Sequence, residues 1–240
     1  MAEQRRLTIS NPAIGGSGWL TLATMEADAG ITAGYYATIH QCRGLAQAGG
    51  PMCMDVMVRL NEVVGGTSHY VDYINGFDLS ESWRGTSAVK TLQEFQRLFP
   101  RGVAVVSDYY VEVPILVSAS AKGPGYPARE EFIKTYEALI AKGYDIRVVA
   151  YDFKKHGFPT IVKGPFSLGV IAADLHLRKD DRFLPLSKEA AIEGILANVP
   201  VKKGDPAGDE RRNFNRLVFE RGYEARERAG YSEKERIVYV

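Results

Sequence analysis

Cysteine and histidine are scarce in this chain, at two and four of 240 residues. Cys42 and Cys53 match no zinc or redox spacing. Two thiols without a secretory signal point to a reducing, cytoplasmic compartment. Long apolar runs are lacking as well. The longest stretch, Val103 to Ala121, carries Asp108, Glu112 and Pro114, which excludes a membrane-spanning helix there. An excess of one charge is missing too, because 30 basic side chains face 29 acidic ones. That balance argues against nucleic-acid binding through bulk charge. There is no internal repeat and no low-complexity segment.

What is present is a globular composition, 45% apolar, enough for one main domain with a sizeable core. Tyrosine, at 13 residues, suits strands, interfaces and pockets. Residues 1–18 read as an N-terminal arm, with the turn signal Asn11-Pro12 and the flexible link Gly15-Gly16-Ser17-Gly18. Residues 19–200 read as the main α/β domain. Residues 201–240 read as a linker, a charged amphipathic helix and an apolar terminal strand.

Within the main domain, Trp19 to Thr24, His69 to Ile74 and Leu168 to Ala173 read as strands. Met52 to Val64 and Ser87 to Phe99 read as helices. The middle is clearest. Val103 to Val106 reads as a strand and Val111 to Val117 as a second, interrupted one. Glu130 to Ala141 reads as a helix with two glutamates in its first turn, and Ile146 to Ala150 as the next strand. This strand–helix–strand unit, residues 103–151, predicts a parallel crossover. The expected fold class is α/β or α+β, with a central mixed β-sheet and flanking helices.

Three apolar runs end on aspartates, Asp108, Asp152 and Asp174. Ligands of open α/β sheets sit beyond the carboxyl ends of the strands. Three carboxylates delivered there can hold Mg²⁺ or Mn²⁺. Aspartate after a strand also makes ordinary turns, and turn chemistry is the favoured explanation of all three. Asp152, Asp174 and His176 are the candidate catalytic groups, since residues two apart share one face of a strand. Lys122, in the loop Lys122-Gly123-Pro124-Gly125, and Lys155 are candidate anion clamps. Gly15 to Gly18 reads as preceding a strand, the wrong order for a loop that cradles phosphate.

The segment His69-Tyr70-Val71-Asp72-Tyr73-Ile74-Asn75-Gly76-Phe77-Asp78 resembles the strand-and-Asp opening of PIN-like or NYN-type ribonuclease domains. Lys163-Gly164 through Asp174 resembles a later acidic motif of that group. The resemblance implies a nuclease, although no third strand carries the expected closing pair of aspartates.

Two function classes follow. In the first, the protein is a metal-dependent hydrolase that uses the strand-end acidic cluster on a small phosphorylated or nucleotide-like substrate. In the second, it is a non-catalytic subunit of a larger assembly. The arm, the tyrosines and the apolar tail are then contacts within a homo-oligomer or a hetero-assembly. Whether the chain is catalytic stays open between the two.

Overall fold

The computed structural model describes residues 5–42, 51–63, 65, 70–90, 93–96, 98–107, 129–201, 205 and 207–240. Its centre is a seven-stranded sheet in the order β2-β3-β1-β4-β7-β8-β9. The strands are β1 (Arg6–Ile14), β2 (Tyr36–Cys42), β3 (Pro51–Arg59), β4 (Val71–Gly76), β7 (Leu98–Ser107), β8 (Ile146–Tyr151) and β9 (Ile237–Tyr239). β1, β4, β7, β8 and β9 pair in parallel, whereas β3 runs antiparallel to both β1 and β2. A separate antiparallel pair joins β5 (Ser87–Lys90) to β6 (Gln93–Gln96). This is the expected mixed sheet with flanking helices.

The helices are α1 (Trp19–Thr32), α2 (Leu79–Thr86), α3 (Arg129–Ala141), α4 (Lys163–Arg178), α5 (Lys188–Ala197) and α6 (Ala207–Ala229). The sheet is covered on both faces, and its central strands are therefore apolar on both sides. Val103 and Val105 point into a core with α1, α4, α5 and α6. Ala104 and Val106 point into a second core with Leu79 of α2 and Phe132, Ile133 and Tyr136 of α3. The unit β7–α3–β8 is the expected crossover, and its two strands pair in register from Gly102↔Ile146 to Ser107↔Tyr151. Ser187 caps α5 as its sequence suggests, accepting from the Ala190 N–H at 3.1 Å.

Several local expectations are corrected. Arg6–Ile14 of the expected N-terminal arm is strand β1, in the interior of the sheet, with every residue from Leu7 to Ile14 buried. Trp19 to Thr24 belongs to helix α1. Its buried positions 19, 22, 23, 26, 29 and 30 follow the helical period, with Met25 and Ala27 buried beside them and the polar Glu26 hidden inside the stripe. Met52 to Val64 holds strand β3, because Met54, Val56 and Val58 alternate into the core. Ser87 to Phe99 contains the β5–β6 pair rather than a helix. Thr160 to Val162 forms a 3₁₀ turn. Leu168 to Ala173 lies within α4, a helix buried at every residue except His176 and Leu177. A helix enclosed on all sides is apolar all round, so its sequence is indistinguishable from a buried strand. The expected strand Val111 to Val117 lies outside the described residues.

α4 is enclosed because two glycines let α6 approach it. A Cβ on Gly169 would overlap the Phe219 carbonyl, and one on Gly222 would overlap the Phe166 carbonyl. α4 begins beyond the carboxyl ends of the strands, where Gly164 lies near Phe77. It ends at the opposite edge, where Arg178 donates to the Arg101 carbonyl of β7.

Candidate functional site

β1 leads through α1 to β2 on one side of the sheet. β4 leads through α2 toward β7 on the other. The strand order therefore reverses between the neighbours β1 and β4, and a crevice at such a switch point is where open α/β sheets bind ligands. Each strand delivers an asparagine there. Asn11 of β1 donates to Glu26 Oε2 at 2.7 Å, and Asn75 of β4 donates to Glu26 Oε1 at 2.8 Å. Glu26 is fully buried, and burial pushes its carboxyl up to about 7 against the lowering effect of the two amides. The amide oxygens of both asparagines are buried with no hydrogen-bond partner. Glu26 thus pins two strand-end amides by their N–H₂ groups and leaves their acceptor atoms free.

The loop above this cluster is Gly15 to Gly18. It follows strand β1 and opens helix α1, which corrects the order expected from the sequence. Gly16 and Gly18 take φ of 91° and 84°, a region that suits glycine. Gly18 stands at the N-cap without a side-chain cap, so the first N–H groups of α1 have no side-chain acceptor from the cap position. Strand, glycine loop and helix N-terminus is the arrangement that presents backbone donors to an anion.

Of the residues singled out from sequence, the described Asp152 and Lys155 lie apart from Asp174 and His176. Asp152 follows β8 and caps a 3₁₀ turn (Phe153–His156), accepting from the N–H groups of Lys154 and Lys155 at 3.1 and 3.3 Å. Its second oxygen lies 3.4 Å from the Lys155 ammonium, so these two residues are brought together at the surface. Asp174 lies in α4 near the opposite edge of the sheet. There it accepts from Arg226 at 2.7 and 3.0 Å and from the Tyr73 hydroxyl at 2.7 Å. Arg178 stands 3.9 Å away. Asp174 and Arg226 are both buried, which makes this a buried, hydrogen-bonded ion pair. His176 is exposed on α4. Two residues along a helix are about 200° apart, so it does not share a face with Asp174 as it would on a strand. Asp108 and Lys122 lie outside the described residues. Among the described residues, no three His, Cys, Asp or Glu side chains are grouped to hold a metal ion. Sequence reasoning missed Glu26, Asn11 and Asn75. The available signal was an acid at the seventh step of the stripe Trp19, Leu22, Ala23, Glu26.

The chain matches the family described as pyruvate ferredoxin/flavodoxin oxidoreductase over residues 9–225. It is similar in structure to the gamma subunit of a keto/oxoacid ferredoxin oxidoreductase from Geobacter sulfurreducens. That likeness has 21% identity and a TM-score of 0.59 over 94% of this chain and 99% of that one. A pyruvate oxidoreductase subunit from Thermotoga maritima is 15% identical, with a TM-score of 0.57 over 92% and 97% of the two chains. The 2-oxoglutarate:ferredoxin oxidoreductase of Magnetococcus marinus is 18% identical, with a TM-score of 0.62. This chain is covered over 98% of its length and that one over 33%. At these identities the structural likenesses carry the fold. No curated protein sequence matches the chain significantly.

The hydrolase expectation is overturned by the family match. So is the nuclease resemblance. Its Asp78 caps α2, accepting from the Glu81 N–H at 3.1 Å, and its Asp174 is held by Arg226. No described helix is long and apolar enough to cross a membrane. The chain belongs to the pyruvate ferredoxin/flavodoxin oxidoreductase family.

Proposed function

We propose that this chain is a non-catalytic subunit of a 2-oxoacid:ferredoxin oxidoreductase assembly. The observation that carries the reading is the family match over residues 9–225, on a fold that spans nearly all of a separate gamma subunit. The larger relative, of which this chain covers 33%, supports the view that the fold works beside other units. Chemistry agrees. Ferredoxin-type iron–sulfur clusters are held by four thiolates, and these 240 residues contain two cysteines. These 240 residues do not fit such a cluster, and the electron-carrying centre is assigned to a unit outside them. The switch-point crevice between β1 and β4 would then face a ligand or a neighbouring subunit. The scarcity of cysteine also supports a reducing, cytoplasmic location.

Affinity purification of the chain from its own cells, followed by an assay of 2-oxoacid-dependent ferredoxin reduction, tests the reading. Pyruvate and 2-oxoglutarate serve as separate substrates. The expected result is activity in the purified assembly and none in the isolated chain. A chain that always purifies alone, or an assembly without this activity, overturns it.

A further inference from the structure

At the edge of the sheet opposite the switch-point crevice, a small pocket is lined by Arg101, Arg147, Arg178, Arg236, Asp145, Glu233 and Tyr231. Its cavity measures about 190 Å³, below the roughly 300–1,000 Å³ of clefts that take whole small molecules. A pocket of that size takes a chemical group rather than an entire cofactor. Four guanidinium groups line it with two carboxylates. Behind them Asp180 pairs with Arg101, Arg178 and Arg182, and Asp174 with Arg178 and Arg226, so the whole cluster holds six arginines against four acids, a surplus of two positive charges.

The pocket is built rather than incidental. Arg178 is 2% exposed in its side chain, and its Nε is buried without a hydrogen-bond partner. Its other nitrogens are committed. One donates to the Tyr73 hydroxyl at 3.3 Å and lies 3.9 Å from Asp174, and the other donates to the Arg101 carbonyl at 2.5 Å and lies 3.7 Å from Asp180. Arg147 is held by the Ser232 carbonyl at 2.5 Å and lies 4.4 Å from the centre of the Tyr231 ring. Arg236 is fixed by Asp145 at 2.7 Å. Arg101 takes a φ of 66°, a left-handed conformation that non-glycine residues seldom adopt. It sits where two steps of β4 (Val71 to Tyr73) face five of β7 (Leu98 to Val103), and Asp145 accepts from its N–H. Strained backbone at an irregular strand pairing is characteristic of places where a side chain is aimed at a ligand.

We propose that this pocket binds a dianionic oxyanion, either free phosphate or the phosphoryl end of a larger molecule. The two-charge surplus matches a dianion better than a carboxylate. Arginine forks suit its oxygens. The site is independent of the assembly reading and carries no reaction.

Isothermal titration of the full chain with inorganic phosphate at low ionic strength tests it, with phenyl phosphate and acetate as comparison ligands. Saturable phosphate binding is expected. In Arg147→Gln it should weaken about tenfold, the worth of one charge-assisted hydrogen bond. In Glu233→Gln, an exposed position, it should tighten roughly two- to fivefold, the size of a surface charge interaction. If Arg147→Gln loses its fold by circular dichroism, the Glu233→Gln arm decides. Phenyl phosphate equal to phosphate identifies the free ion as the ligand, and tighter phenyl phosphate identifies a phosphoryl group carried on a larger molecule. The proposal is overturned if wild type shows no saturable binding, if Glu233→Gln leaves the affinity unchanged, or if acetate binds as tightly as phosphate.

Discussion

Glu26 is the residue whose surroundings most change its chemistry. An isolated glutamate titrates near 4.5, and burial between Asn11 and Asn75 moves this one to about 7. The folded protein therefore holds the proton more tightly than the unfolded chain does. Below pH 4.5 both states are protonated and the contribution to stability is complete. Between 4.5 and 7 the unfolded chain is ionised while the fold keeps the neutral acid, so stability falls as pH rises. Above 7 the loss is complete, at ~3 kcal/mol for a shift of this size. Glu26→Gln removes this titration. Urea denaturation at pH 4 and pH 8 should then give stabilities that differ by ~3 kcal/mol less than in wild type, and an unchanged pH dependence would refute the assignment. The acids that looked functional from sequence behave differently. Asp152 is a turn residue and Asp174 one half of a buried ion pair, roles that a strand-end position in the sequence does not reveal.

Among the elements, α4 and α6 show how small residues decide packing. Alanine in place of an unconstrained helical glycine gains up to ~1 kcal/mol of helix propensity. At Gly222 the new methyl would meet the Phe166 carbonyl, a backbone atom that cannot rotate away. Gly222→Ala is expected to lose ~1–3 kcal/mol net in a urea melt, because overpacking outweighs propensity. A neutral or stabilising outcome would mean that the two helices separate easily. Short apolar runs bordered by turn residues, such as β7 and β8, and helices with a polar face, such as α3 and the capped α5, were legible in the sequence. Helices buried in an apolar stripe or on every side were not. α4 carries no polar face to report its period, and α1 hides Glu26 within its apolar stripe.

Across the whole molecule, the strand order joins segments far apart in the chain. β9 lies beside β8 in parallel and forms one edge of the sheet. Val238 is buried there, so the apolar tail finds its partner within its own chain. Deleting residues 237–240 is expected to bare the edge of β8 and cause concentration-dependent association, read by light scattering. A truncated chain that stays monomeric and equally stable would show that β9 is dispensable. The sequence by itself determined the class of the molecule. Its balanced charge, its lack of long apolar runs and its strand–helix–strand unit specify a mixed α/β fold, since periodicity and turn chemistry are local properties. Only the tertiary structure decided which side chains meet. The Asn11–Glu26–Asn75 cluster, the Asp174–Arg226 pair and the arginine pocket each join residues from distant parts of the chain. Such contacts depend on strand order and on how closely helices approach, and neither is encoded in the spacing of neighbouring residues.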